Sequence, residues 1–392
     1  MIPIVQNIFK RLSTTVTRAC YSGIDPYDGL NSRLFHACLL DRISLLRLIW
    51  IQLFKKSRIN FRSICFVTKG FNPKAGGLFL SANLKMFKTT RDQKYKQESI
   101  NLLSMLKDSI SPRKEGVAWG YNFDWQAKAF FVPKGTPNIV TSVYIGQALL
   151  DCYESLQLEE ARKLALKIKD FILGEMIMWE KTDALCFSYI PGEKAEVHNA
   201  NLLTAAYLSR VYALTKEERL KEMAVKSARF SVGDIREDGY WPYGTMPHHR
   251  WMDNFHTGFN VEALLMIRKN SGIDVWDEHI KRVYRYYVLN FFEKDSIPRY
   301  YSNKTYPIDI HNIAESIMLF SKISRDESGL FSEEEKKDAL RRRDLIMDYA
   351  VKNFWDNKGY FYYQKGRFLT NKICYMRWSQ AWMYNAMSWT LS

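Results

Sequence analysis

What most constrains this chain is a period. Between residues 119 and 378 a loop rich in Gly, Pro and aromatic side chains recurs, each time leading into an apolar stretch and usually on to a charged one. The loops read WGYNFDWQ (119–126), CFSYIPGEKAEVHN (186–199), DGYWPYGTMPHHRWMDNFH (238–256), IPRYYSNKTYPIDIH (297–311) and KGYFYYQKGRFLTNKICYMRW (358–378). The apolar stretches share a register: Ala148, Ala206, Ala263 and Ser316 follow one another at spacings of 58, 57 and 53 residues. Self-similarity of this kind marks a supersecondary unit that buries its apolar face only by stacking on its neighbours.

Each unit reads as a helical hairpin. VTSVYIGQALLDCY, NANLLTAAYLSRVY, HTGFNVEALLMIRK and DIHNIAESIMLFSK are apolar with small residues scattered through them, which suits close helix packing. Their partners at 159–176, 217–231, 276–291 and 334–353 carry charges between apolar positions, the pattern of an outer helix with one wet face. A last inner helix starts near Arg377, and 76–87 with 94–108 supplies a weaker copy towards the N-terminus. A helix predicted around 34–55 has no partner in front of it and is expected to pack beside the C-terminal helix, closing a ring. The expectation is therefore all-α: six inner and six outer helices in a single toroidal domain over 21–392, preceded by a flexible segment, 1–20. No alternating run is long enough for a large sheet, so stretches such as GYFYY (359–363) read as small hairpins at the cleft.

In a ring of hairpins every inner helix begins at the same end, so the loops that precede them converge. They carry five of the seven histidines: His198, His248, His249, His256 and His311. Aromatic platforms beside amides, carboxylates and Arg suit a sugar, which offers apolar C–H faces for stacking and hydroxyls for polar contacts. The candidate substrate-binding residues are Trp119, Tyr121, Trp125, His198, Asn199, Asn201, Trp241, Tyr243, Trp251, Arg377 and Trp378. The candidate catalytic residues are His256, Asp124, His311 and Asp309, because His brackets neutral pH and a carboxylate can orient it or act as partner acid. Asp253 reads as a helix cap, and the DPYDGLNS turn (25–32) as a structural turn whose Asp25, Tyr27 and Asp28 could alternatively reach the cleft. His311 and Glu315 share a helix face, but no third and fourth ligand accompany them, so no metal and no cofactor are expected.

Charge and cysteines narrow the partners. A formal charge of +15 favours an anionic partner such as an acidic glycan, yet no nucleic-acid motif accompanies it. None of the six cysteines forms a CxxC pair, which suits unpaired thiols in a reducing compartment. Residues 1–20 lack the apolar core of a signal peptide, so a cytoplasmic location is expected. Ile43–Phe54 is apolar but short and interrupted for a membrane span, and reads as a packed helix or a peripheral membrane contact.

DPYDGLNS, WGYNFDWQ and the histidine-led inner helices resemble the six-hairpin glycosidase-like superfamily of (α/α)6 toroids, and within it the VpsJ-type polysaccharide biosynthesis proteins. The resemblance spans roughly residues 21–390. It implies a carbohydrate-active protein of surface or exopolysaccharide metabolism: a hydrolase, lyase or epimerase, or else a non-catalytic glycan-binding or assembly factor, with a biosynthetic complex as a further partner. Epimerases of the superfamily use two cleft histidines, roles that His256 and His311 could fill. Its lyases and uronyl epimerases combine Asn, His, Tyr and Arg, for which Asn199, His256, Tyr243 and Arg377 are available.

Overall fold

The structure is a computed structural model that describes residues 2–126, 131–294 and 296–392. The chain opens with α1 (Ile2–Arg18), α2 (Arg33–Ala37) and α3 (Ser44–Lys56). Helices then alternate between an inner and an outer layer. They run α4 (Pro73–Thr90) with α5 (Gln93–Asp108), α6 (Ile139–Leu156) with α7 (Glu159–Phe171), and α8 (His198–Thr215) with α9 (Glu218–Val232). The series continues with α10 (Asn254–Ser271) and α11 (Asp277–Asn290), then α12 (Ile310–Ile323) and α13 (Glu333–Phe354), and ends with α14 (Trp382–Leu391). The inner helices touch in cyclic order, α4 on α6, α8, α10, α12 and α14, and α14 packs back on α4. The protein is an (α/α)6 toroid. The longest strand among the described residues, Ile177–Glu180, has only 4 residues.

Local chemistry starts the inner helices at one common end. Asn72, Asn138, Asp253 and Asp309 cap α4, α6, α10 and α12, each side chain accepting a hydrogen bond from a first-turn N–H. Close packing of the inner layer depends on glycine: a Cβ on Gly146 would lie 2.5 Å from the Tyr207 ring, and one on Gly77 would lie 3.2 Å from the Ile145 backbone. The outer helices bury one stripe each, as in α13, where Ala339, Ile346, Met347 and Ala350 face inward and a Ser332–Glu335 capping box fixes the start.

The ring closes differently from the sequence expectation. Residues 2–18 form a packed helix where a flexible segment was expected. Val5, Ile8, Phe9, Leu12 and Val16 lie on one face of α1, and Phe9 stacks on Tyr384 of α14 at 4.3 Å. Helix α1 is thus the sixth outer helix. Segment 34–55, expected in that place, instead forms α2 and α3 in an insertion that packs on the loop 24–31 and on Trp125. It buries only Phe35 from α2 and only Ile51 and Phe54 from α3, too little apolar face to serve as a wall of the ring. The six cysteines are unpaired, and Cys20 and Cys38 are exposed.

Candidate functional site

The converging loops build an aromatic bowl over the inner-helix starts. Tyr243 stacks on Trp251 at 4.3 Å, and Trp251 meets Tyr301 edge-on at 6.5 Å. Across from them the Tyr121 and Tyr189 hydroxyls lie 3.3 Å apart, with Trp125 against Tyr189. Tyr27 leans on Trp378 at 5.5 Å, and Lys55 of α3 brings its Nζ to 4.7 Å from the Tyr27 ring. Tyr27, Tyr121, Trp125, Tyr189, Tyr243, Trp251, Tyr300 and Tyr301 are all half-buried, one edge packed and the other open. A groove of about 520 Å³ lined by Tyr121, Asn122, Lys69 and Lys134 adjoins the bowl.

His256 stands in this bowl. It is the third residue of α10, and its side chain remains 20% exposed. Both Asp253 oxygens lie 2.9–3.0 Å from its Nδ1, and Asp253 also accepts the His256 backbone N–H. A carboxylate can only accept, so Nδ1 carries a proton, and in the neutral ring the lone pair lies on Nε2. Asp253 therefore caps the helix, as its position suggested, and in the same act fixes the tautomer of His256.

Beneath the bowl lies a second, buried set. His311 is 2% exposed, boxed by Trp382, Trp378 and Phe255 at 4.3–4.6 Å, and neither ring nitrogen has a partner. Burial, with Lys74, Arg377 and His256 adding to it, drives its pKa well below the ordinary value, so the ring is neutral. Lys74, the second residue of α4, points at Tyr144 with Nζ 4.5 Å from the ring centre. Burial pushes it down to about 7, with Arg377 pushing the same way and Glu315 and Asp25 opposing. Glu315 is one turn beyond His311, and its oxygens lack partners. Burial, then Glu262, raises it well above the carboxylate range. Arg377 is held by Asp25 through two bonds of 2.6 and 2.8 Å and lies over Tyr121.

Of the residues the sequence nominated, the structure gathers His256, Tyr121, Trp125, Tyr243, Trp251, Arg377 and Trp378 around the bowl, with His311 and Asp309 under it. Asp309 caps α12 and is fully buried, and its oxygens take the Trp378 Nε1–H, the Gln364 amide and the His311 N–H. Asp124 does not pair with His256. It accepts the Lys134 N–H and faces a chamber of about 230 Å³ with His36, Asp41 and Arg47, while Asp253 supplies the carboxylate that His256 uses. Four other nominees are struts of the core. Trp119 donates to the Leu106 carbonyl and Trp241 to that of Ser231; Asn201 ties residue 187 to α9; His198 is fully buried against Asp234. Asn199 is also buried, with its Oδ1 unpartnered. Lys55, Lys74 and Tyr189 were not nominated. Only Tyr189 carried a usable signal, since it lies in one of the converging loops. Among the described residues no three His, Cys, Asp or Glu side chains come together as a metal site requires.

Comparison with known proteins finds this architecture in carbohydrate enzymes. Cellobiose 2-epimerase from Bacillus thermoamylovorans B4167 superposes with a TM-score of 0.63 at 14% identity, covering 82% of this chain and 87% of that one. The GH76 α-mannanase BT2949 of Bacteroides thetaiotaomicron gives 0.62 at 12% identity, covering 80% and 84%. An unsaturated glucuronyl hydrolase variant with dGlcA-Glc-Rha-Glc gives 0.67 at 11% identity, covering 99% and 95%. At these identities the likeness is one of fold alone, the (α/α)6 toroid. No family model and no curated protein matches the sequence.

Proposed function

From an (α/α)6 toroid with an aromatic bowl at its inner-helix starts, we propose an enzyme that acts on a saccharide by removing a proton from carbon next to a carbonyl or carboxylate, as epimerases, isomerases and lyases do. The observation that carries this reading is the His256–Asp253 pair, in which the carboxylate grips Nδ1 and leaves Nε2 with its lone pair. In the step, Nε2 takes the proton, the C–H electron pair becomes a C=C bond to the carbonyl or carboxylate carbon, and that group's C=O π pair moves onto its oxygen, giving an enediolate-type intermediate. The proton then on Nε2 can be returned to carbon, and His311, held neutral by burial, keeps one ring N–H that can donate a hydrogen bond to the enediolate oxygen. Phe255 lies 4.1 Å from the His256 ring and 4.6 Å from that of His311, so the two imidazoles flank one side chain.

Glycoside hydrolysis is the weaker reading. It calls for two carboxyl groups flanking the scissile bond. Here the aspartates at the bowl are spoken for, Asp25 by Arg377, Asp309 by Trp378 and Gln364, Asp253 by His256, while Glu315 is fully buried beneath it and Asp124 faces the chamber with His36. Cellobiose 2-epimerase among the structural neighbours supports a proton-transfer reaction on a short saccharide. The net charge of +15 and the Lys69–Lys134 groove favour an acidic oligosaccharide. A role in surface or exopolysaccharide metabolism fits such a substrate, and the unpaired exposed thiols of Cys20 and Cys38 suit the cytoplasm.

The test is exchange in heavy water. The protein is incubated in D2O with reducing and uronate-containing oligosaccharides, and products are read by NMR and mass spectrometry. Carbon-bound deuterium that disappears with His256→Gln is the expected result. Glycosidic cleavage with every C–H retained would replace proton abstraction by hydrolysis. Tight binding without turnover or exchange would make the chain a glycan-binding factor.

A further inference from the structure

The insertion that covers one side of the bowl has an outer face the catalytic reading does not use. Nine of the 21 large apolar side chains exposed among the described residues fall within residues 34–66. On α3 they form a row at helical spacing, with Leu45 62%, Ile49 55% and Leu53 48% exposed. Leu39, Ile43, Ile59, Ile64 and Phe66 extend the apolar surface on the flanking turns. The hairpin tip Phe368–Leu369 joins it, because Asn371 donates to the Ser57 carbonyl at 2.9 Å and so seats the hairpin at the end of α3. Phe368 is 86% exposed, the most of any large apolar residue described.

Charge surrounds this apolar row with one sign. Residues 29–71 contain eight Lys or Arg and one acid, Asp41, which accounts for +7 of the chain's +15. Five of them, Arg33, Arg42, Lys56, Arg58 and Lys69, are exposed, and none makes an ion pair among the described residues. An apolar helix face with a basic border is the pattern of a helix lying in the plane of an anionic lipid surface. No helix of the described residues is long and apolar enough to cross a membrane. A second copy of the chain is a poor occupant, since a two-fold contact would set these cations against themselves.

We propose that α3 and the 364–371 hairpin form a peripheral docking face for a bilayer rich in anionic lipid. The opposite side of the same helix carries Lys55 to Tyr27 at the bowl, so docking holds the bowl beside the headgroups. This rests on the outer surface alone and stands whether or not the bowl is catalytic.

The test is co-sedimentation of the full chain with vesicles of phosphatidylcholine alone and of phosphatidylcholine with about one-third phosphatidylglycerol. The protein should pellet with the anionic vesicles, not with the neutral ones, and should release as salt rises. Leu45→Glu/Ile49→Glu/Leu53→Glu should weaken binding about tenfold or more with unchanged melting. Should that variant fail to fold, Arg33→Gln/Arg42→Gln/Arg58→Gln should still weaken binding and flatten its salt dependence. The proposal is overturned if the wild type stays in solution with anionic vesicles at low salt, or if both variants bind undiminished. It is equally overturned if light scattering finds a dimer that the triple Glu variant dissociates while vesicle binding is absent.

Discussion

His198 and His256 open successive inner helices, and each lies about 3 Å from an aspartate, yet their surroundings separate them. His198 gives its Nε2 to Asp234, which Arg250 also holds through two bonds, and its ring is fully buried near Phe230 and Trp241. Its Nδ1 is left without a partner inside the protein. His256 gives Nδ1 to Asp253 and keeps its ring partly open among Tyr243 and Trp251. A His–Asp pair at a helix start is therefore not by itself a site. What distinguishes the two is which nitrogen the carboxylate takes, and whether the other one meets space or packing.

The largest effect that would break this contrast is on turnover. His256→Gln keeps a polar group at the position but cannot take a proton, so activity should fall by a factor of about 10² to 10⁴. Melting should stay close to wild type, because the ring is only part of the bowl wall. Full activity in this variant would remove His256 from the chemistry and return the pair to a structural role like that of His198–Asp234.

Asp309 is a third aspartate at an inner-helix start and tests how a fully buried cap behaves. Burial raises it to about 6 from an ordinary value of 3.8, against the hydrogen bonds from Gln364, His311 and Trp378. Between about pH 4 and 6 the folded protein keeps a proton that the unfolded chain has lost, so this group's contribution to stability declines as pH rises through that window. Asp309→Asn has no such dependence. Denaturant titrations should show the variant gaining on wild type by roughly 2–3 kcal/mol between pH 4 and 7. A gap that does not move with pH would mean that Asp309 titrates normally.

A smaller effect should appear at the buried histidine. His198→Ala deletes a packed ring and leaves Asp234 to Arg250 alone, at a cost of about 1–2 kcal/mol of stability. The activity of each folded molecule should persist. Loss of turnover in fully folded His198→Ala would mean that the two histidines differ less than their burial suggests.

How much of this was legible beforehand follows from where the information lies. The repeat fixes the inner and outer layers because burial demands apolar periodicity, and that is written in every hairpin. The helical N-terminus was legible too, since Val5, Ile8, Phe9, Leu12 and Val16 follow helical spacing, but the short basic segment read as a flexible one. The site was legible as a set of loops and illegible as a set of contacts. Trp119 and Trp251 sit in similar aromatic loops, yet Trp119 is sealed against Leu106 while Trp251 is half open. Asp124 was the expected partner of His256 and Asp253 read only as a cap, and it is the cap geometry of α10 that brings Asp253 onto the ring. Lys74 follows Pro73 at a helix start, where a lysine ordinarily points to water. Its burial comes from the ring closing around it, which no local pattern records.

The smallest of these effects concerns the bowl itself. Trp251 is stacked on Tyr243 at 11° between planes and leaves its remaining edge open, while Tyr301 meets it edge-on. A platform of this kind binds a sugar face without taking part in proton transfer. Trp251→Ala should thus raise Kd or KM by a factor corresponding to about 0.5–1.5 kcal/mol, a few-fold to roughly tenfold, with kcat nearly unchanged. The loss should be similar for substrates of either charge, because the stacking surface is neutral. Lys69→Gln, on the adjoining groove, should instead weaken acidic oligosaccharides alone, and at low salt most of all. If Trp251→Ala lowered kcat as strongly as His256→Gln does, the aromatic wall would be positioning His256 rather than holding sugar. The division of the bowl into a binding wall and a reacting histidine would then have to be redrawn with Trp251 on the histidine's side.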